Sequence, residues 1–311
     1  MRILVVGAGG VGGYFGGRLI EADADVTFLV RRPRAEALAR HGLVVSSPLG
    51  DLSVPVKTVT ADRLTGDFDL ILLSCKAYDL AGVIDTIKPA ATGRTGILPL
   101  LNGVAHIEIL KQQFGASCVL GGLAHLAVTL EPGGAIRHLA PHCAIRFGAL
   151  GGGADPWTGA LLEAFTGARV DAVRSSVIMQ DMWDKFVFLA TLAGMTCLLR
   201  ASVGTILGTI HGAGLTETLL AECAAVATAE GFPPDEQALT RYRATLTERG
   251  SSVTASMLRD IERGGPTEAE HVFGDLVTRA MRHGIAVPLL LVAYTHLQAY
   301  ELRRAGNAGG G

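Results

Sequence analysis

Residues 7–12 read Gly7-Ala8-Gly9-Gly10-Val11-Gly12, a GxGxxG turn. It directly follows the apolar run RILVV at 2–6 and directly precedes a glycine-dotted helical segment over 11–22. A second apolar run, DVTFLV at 25–30, completes strand, helix and strand, the βαβ unit. GxGxxG alone is a weak pattern, but between a strand and a helix it constrains the chain strongly. Gly7 permits the tight turn, Gly9 lets backbone approach a diphosphate, and Gly12 lets the helix pack closely on the strand. The diphosphate then rests at a helix N-terminus, where free N–H groups and the helix dipole favour an anion. All six residues, Gly7, Ala8, Gly9, Gly10, Val11 and Gly12, are therefore candidate cofactor contacts.

Further strand-like runs lie at 69–74, 95–101, 119–129 and 143–147, with helical segments between several of them. Asp155-Pro156 opens another helix, and 168–172 is a candidate last strand. Alternating β and α predicts a mostly parallel sheet with helices on both faces. Beyond about Arg174 the strand-like runs stop. Ile178, Met182, Phe186, Leu189 and Ala193 recur at helical spacing, as do Val272, Phe273, Leu276, Val277 and Ala280. The expected fold is α/β, with an N-terminal Rossmann dinucleotide-binding domain over 1–173 and an all-α domain over 174–311. The Gly-rich tail 306–311 is expected to fray.

The formal net charge of -2 offers no footprint for nucleic acid or an anionic membrane. With 49% hydrophobic and 18% charged residues, the chain has enough apolar material for a large core. Cys75, Cys118, Cys143, Cys197 and Cys223 are scattered without a CxxC pair. That pattern argues against a disulfide framework or a structural zinc and for a reducing, cytoplasmic compartment. Gly7 interrupts the N-terminal apolar run, so it does not read as a signal peptide. The apolar run 186–199 has 14 residues, too short to span a bilayer. No HExxH motif or carboxylate cluster suggests a metal.

The end of the second strand bears on cofactor choice. An NAD site usually carries an acid there, but this chain reads Val30-Arg31-Arg32-Pro33. A guanidinium binds a 2′-phosphate in a fork where an acid would repel it. Arg31 is the candidate for NADP selection, with Arg32 assisting; the alternative is a solvated basic loop. Lys76 follows the run at 69–74, and Asn102 follows the run at 95–101. Both fall where ligands bind in such sheets, at the carboxyl ends of strands. A surface lysine and a turn-capping Asn-Gly explain them equally well. His125, within the run 119–129, is either a ligand contact or structural. His138 and His142 are four apart, but Pro141 lies between them and the region does not read as helix.

The chain resembles the ketopantoate reductase (2-dehydropantoate 2-reductase) family from Met1 to about Glu301. The resemblance lies in GxGxxG, the arginine after the second strand, CKAYD at 75–79, NG at 102–103, WDKF at 183–186, SMLRDI at 256–261 and TE at 267–268. It implies NADPH-dependent reduction of 2-dehydropantoate to (R)-pantoate, for pantothenate synthesis, in a cleft between the two domains. It implies Lys185 as general acid, Asn102 positioning cofactor and substrate near that lysine, and Ser256 and Glu268 contacting substrate. From the residues alone, Lys185 opens an apolar run and reads equally as a snorkelling lysine. Ser256 reads as a helix-start residue, and Glu268 as a first-turn acid beside a Thr267–Glu270 capping box. The chain departs from the family pattern at Leu189 and Ala193, where asparagines are expected on the lysine's helix face. That departure leaves the reaction type standing and keeps open reduction of another branched or aromatic 2-keto acid; a rival of a different class is a non-catalytic NADP(H)-binding sensor, against which Lys185 argues. The expected partner is a small 2-keto acid, and the apolar helical half is compatible with a homodimer.

Overall fold

The computed structural model describes residues 1–308. In chain order the elements are β1 (Arg2–Val6), α1 (Gly10–Glu21), β2 (Asp25–Leu29), α2 (Arg32–His41), β3 (Leu43–Ser46), β4 (Leu52–Val54), β5 (Lys57–Val59), β6 (Leu70–Leu73), α3 (Leu80–Ile87), β7 (Gly96–Pro99), α4 (Ala105–Phe114), β8 (Leu120–Leu130), β9 (Ile136–Ala149), α5 (Thr158–Ala164) and β10 (Asp171–Arg174). Helices follow: α6 (Ile178–Leu199), α7 (Val203–Leu207), α8 (Gly212–Ala229), α9 (Glu236–Leu246), α10 (Ser256–Glu262), α11 (Asp275–Arg282) and α12 (Pro288–Ala308). A π-helical turn, Glu270–Gly274, leads into α11. The chain forms two compact units: residues 1–101 with 106–179, and residues 102–105 with the chain from Gln180 onward.

In the first unit, β1 and β6 are buried along nearly their whole length, as befits strands covered on both faces. Their sheet runs β5-β2-β1-β6-β7 and is parallel throughout. Strand order reverses between β1 and β6, so the crevice outside their carboxyl ends is the topological switch point where such sheets bind ligands. The expectation of one mostly parallel sheet is corrected by a second sheet, β10-β9-β3-β4 with β8 on β9. Here β8–β9 and β3–β4 are antiparallel. Residues 131–135 join β8 to β9, too few for the crossover that parallel pairing needs.

Helix α1 packs against both sheets. A Cβ added at Gly12 would lie 2.0 Å from Ser74 Oγ, and one at Gly16 2.5 Å from the Phe28 ring. On the other side, a Cβ at Gly13 would meet Ile136 at 2.3 Å and one at Gly17 would meet Leu52 at 2.8 Å.

The second unit is helical, with no strand among the described residues after Arg174. Its α6 spans 22 residues, longer than the apolar run read from sequence and long enough to cross a bilayer. It is a core helix instead, with 67% of its most apolar window buried within the protein. Of the tail expected to fray, 306–308 fall at the end of α12; residues 309–311 lie outside the described residues. Helix α12 starts at Pro288, whose missing N–H suits a first helical turn. The next two N–H groups, of Leu289 and Leu290, donate to the buried Glu222 carboxylate of α8 at 3.1 and 2.7 Å.

Glu222→Ala strands those two donors. Equilibrium urea unfolding should show a loss of about 2–3 kcal/mol, with Glu222→Gln intermediate. A change under about 0.5 kcal/mol, the range of neutral surface substitutions, would show that the carboxylate does not anchor α12.

Candidate active site

The glycine turn is built by its neighbours in the first unit. Gly7 takes a positive φ of 94° and its N–H donates to Leu29 O. Ser74, at the end of β6, donates from Oγ to Val6 O at 2.8 Å, which explains the close approach demanded of Gly12. The N-terminus of α1 has no side-chain cap, so its first N–H groups are open to a ligand. A Cβ at Gly9 would meet nothing within 4 Å, leaving the turn open on that side. These features fit a diphosphate group. Arg34 braces the turn: its Nε and Nη2 donate to Ala8 O at 3.2 and 2.9 Å, and its Nη1 donates to Gly134 O. Sequence reasoning passed over Arg34, although it belongs to the same RRPR run as Arg31 and Arg32.

Arg31 immediately precedes α2. Its side chain is 87% exposed and pairs with Asp79 at 3.4 Å. Arg32 is also exposed and lies 3.9 Å from Asp62. Lys76 is half-buried just past the carboxyl end of β6. Neither Gly7 nor Lys76 borders the cavity of about 1030 Å³ lined by Met1, Asp69, Arg94, Cys118, Asp155 and Trp157. That cavity lies at the amino ends of β1, β6 and β7, the wrong end for a ligand of this sheet.

In the second unit, Lys185 opens the third turn of α6. Trp183 and Phe186 beside it are buried to about 1% exposure and fix that stretch of helix. Trp183 stacks on Phe232 and lies under the Arg279 guanidinium. The partly buried Lys185 donates from Nζ to Asn102 Oδ1 at 3.3 Å. Burial pushes its ammonium down to about 8, while the Glu268 carboxylate holds it up. Glu268 is itself buried, on the segment leading into the π-helical turn. His271, on that turn, donates from its ring to the Asn102 carbonyl, and burial lowers its pKa. Sequence reasoning missed His271.

The structure thus brings together Lys185, Asn102 and Glu268. Ser256 is the first residue of α10, half-buried; among the described residues no hydrogen bond joins it to Lys185. Leu189 is half-buried one turn beyond Lys185, and Ala193 is only 1% exposed. His125 is exposed on β8 with its ring 6.2 Å from that of His142. His138 is a core residue, hydrogen-bonded to Tyr14 and Ser47. The five cysteines are free thiols.

Two family models account for most of the chain. The one described as Ketopantoate reductase PanE/ApbA matches residues 3–152, and its C-terminal counterpart matches 177–301. The chain belongs to the ketopantoate reductase family. It is an oxidoreductase of that family. It is 40% identical over 304 residues to the uncharacterized oxidoreductase YkpB of Bacillus subtilis (strain 168), covering 98% of this chain and 100% of that one. The crystal structure of 2-dehydropantoate 2-reductase from Geobacter metallireducens GS-15 is 31% identical, with a TM-score of 0.86 and coverage of 96% and 99%. D-mandelate dehydrogenase, solved with NADH and anilino(oxo)acetate, is 21% identical at a TM-score of 0.88, covering 98% of this chain and 100% of that one, and shares the fold.

The environment of Lys185 gives a signed expectation. Competitive acetylation followed across pH by mass spectrometry should place its midpoint near 8. Glu268→Gln removes the charge that holds the amine up, so the midpoint should fall further. A midpoint at the ordinary lysine value of 10.5 would mean that the amine is solvated.

Proposed function

We propose that this chain reduces a 2-keto acid with NADPH, and that 2-dehydropantoate, giving (R)-pantoate, is the first substrate to test. The observation that carries the reading is the amine of Lys185, held near 8 beside Glu268 and hydrogen-bonded to Asn102. An acid works best when its pKa lies near the working pH, and mere binding of a dinucleotide needs no such lysine. The identity to the Geobacter 2-dehydropantoate 2-reductase supports the choice of substrate.

In this reading the glycine turn 7–12 and the N-terminus of α1 hold the diphosphate of the cofactor. Arg31, with Arg32, takes the 2′-phosphate; both cations are exposed and paired only loosely with Asp79 and Asp62. Lys76 lines the same end of the sheet. The reduced nicotinamide supplies the hydride that adds to the keto carbon. Lys185 polarises the keto oxygen, stabilises the alkoxide as charge develops and gives it a proton, ending as the neutral amine. Asn102 orients that amine through Oδ1, and Ser256 and Glu268 bind the polar groups of the substrate. Turnover should decline as pH rises through about 8, because the acid is then lost.

A second reading, the same chemistry on a keto acid lacking the hydroxyl of 2-dehydropantoate, is favoured by one observation. Leu189 puts an apolar side chain one helical turn from Lys185, where a hydrogen-bonding group would be needed to select for a hydroxyl. A keto-acid panel followed by NADPH absorbance decides between them. Tight NADPH binding with no turnover of any member would point instead to a sensor.

Lys185→Ala should lower kcat by roughly 10²–10⁴-fold with little change in NADPH affinity, and Lys185→Arg should recover only part of the loss. Near-normal turnover in Lys185→Ala would put the acid elsewhere. Arg31→Ala should raise KM for NADPH far more than for NADH; equal use of both cofactors by the unmodified protein would overturn the 2′-phosphate assignment.

A further inference from the structure

We propose that His271 is a positioning residue for Lys185: its ring, carried on the π-helical turn Glu270–Gly274, grips the Asn102 carbonyl and so holds Asn102 Oδ1 against the lysine. The kinetic part of this role rests on the reading of Lys185 as proton donor.

The Lys185–Asn102 bond does not hold itself. At 3.3 Å it lies at the long end for an N–H···O contact, and Asn102 belongs to a short segment, 102–105, outside any strand. Two side chains confine that segment. A Cβ placed at Gly103 would meet the Phe186 ring at 3.5 Å and His271 Cδ2 at 3.6 Å. Gly103 also has a φ of 81°, a conformation that glycine adopts without steric cost. Gly103 therefore sits against both the lysine's helix neighbour and the histidine, and the histidine supplies the polar tie.

The same turn reaches both partners of the bond. Glu268, two residues before it, acts on the Lys185 charge. His271, three residues on, donates to the Asn102 backbone. Val272 N, within the turn, donates back to Glu268 O and ties the two stretches together. The π-helical widening that follows is a local irregularity of the kind found often at functional sites. Two carboxylates act on the His271 ring, Glu268 and Asp275, both favouring its charged form, and burial opposes them. A neutral ring keeps one N–H to donate.

The test uses His271→Phe, which keeps a ring without a donor, and His271→Asn and His271→Gln, which restore a neutral donor at two reaches. His271→Phe should lower kcat at least about tenfold, since small misplacements of a reacting group cost this much or more. It should leave KM for NADPH within about twofold, because in this reading the cofactor's diphosphate and 2′-phosphate are held by residues 7–12 and Arg31. The acetylation midpoint of Lys185 should move up by about one unit as water reaches the amine. The better of Asn and Gln should recover most of both effects, which a purely space-filling role would not predict. A folded His271→Phe with kcat within twofold of the unmodified protein and an unmoved midpoint overturns the proposal.

A measurement on the unmodified protein covers the case in which His271→Phe does not fold. Proton NMR should show a slowly exchanging ring N–H that is missing from His271→Gln, and exchange at the solvent rate overturns the tie. If the unmodified protein reduces no keto acid, the proposed function fails, while the labelling midpoint and the ring proton still judge the clamp.

Discussion

Helix α1 is in contact on both broad sides at once, and the first unit is organised around that wedge. Gly12 and Gly16 face the parallel sheet, while Gly13 and Gly17 face the mixed one. Each pair is spaced four apart, so each forms a smooth stripe on its own side of the helix. Glycine within a helix costs about 1 kcal/mol relative to alanine. Here any Cβ would collide, so the close approach outweighs propensity. Tyr14, Phe15 and Leu19 fill the space beside the stripes and are fully buried. The wedge fixes where the helix begins, at the carboxyl ends of β1 and β6. That placement sets the uncapped N-terminus of α1 and the 7–12 turn at the end of the sheet where such folds bind ligands.

The sequence showed the parallel sheet well because its strands are short apolar runs separated by helices, a pattern with few competing readings. β1 has the expected bounds, and β2, β6 and β7 fall within the expected runs. It did not show the second sheet. β3 and β4 have four and three residues, too few to display a period of two. The direction of β8 and β9 was hidden because the run read at 143–147 misses the start of β9 at Ile136, so the short connection between the two strands did not show and alternation of β and α suggested parallel pairing. The apolar run 186–199 is shorter than α6, whose start showed only in the helical spacing from Ile178, because Asp181, Asp184 and Lys185 precede the run. Those charges ended the run as read by composition without ending the helix.

The chemistry was legible only in part, for a related reason. Lys185 looked like a snorkelling side chain until family resemblance singled it out, since nothing local distinguishes the two. Glu268 read as a first-turn acid beside a Thr267–Glu270 capping box, and that box does not form. Thr267 N donates to Glu301 Oε1 at 2.6 Å, and Glu270 accepts from the Tyr294 hydroxyl. Glu268 itself acts on the lysine charge. His271 gave no signal because its meaning depends on Asn102, which is remote in sequence and meets it only after folding. Arg34 differs, since its neighbours in the RRPR run were noticed and its place inside α2 explains why it turns back to Ala8.

Around Lys185 two opposed effects set the state of one proton. Burial alone would drive the amine toward its neutral form, leaving no proton to give near neutral pH. A carboxylate alone, acting on a solvated amine, would hold the proton too tightly for an efficient acid. Together they leave the ammonium near 8, so that at pH 7 roughly nine-tenths of the molecules carry the proton. The balance is sensitive in both directions, because water entering beside Asn102 weakens the first effect and loss of Glu268 removes the second. Segment 102–105, the α6 helix and the turn after Glu268 are therefore coupled through a charge, although they are separate stretches of chain. A substitution in any of them that leaves the backbone in place can still change the acidity of the lysine.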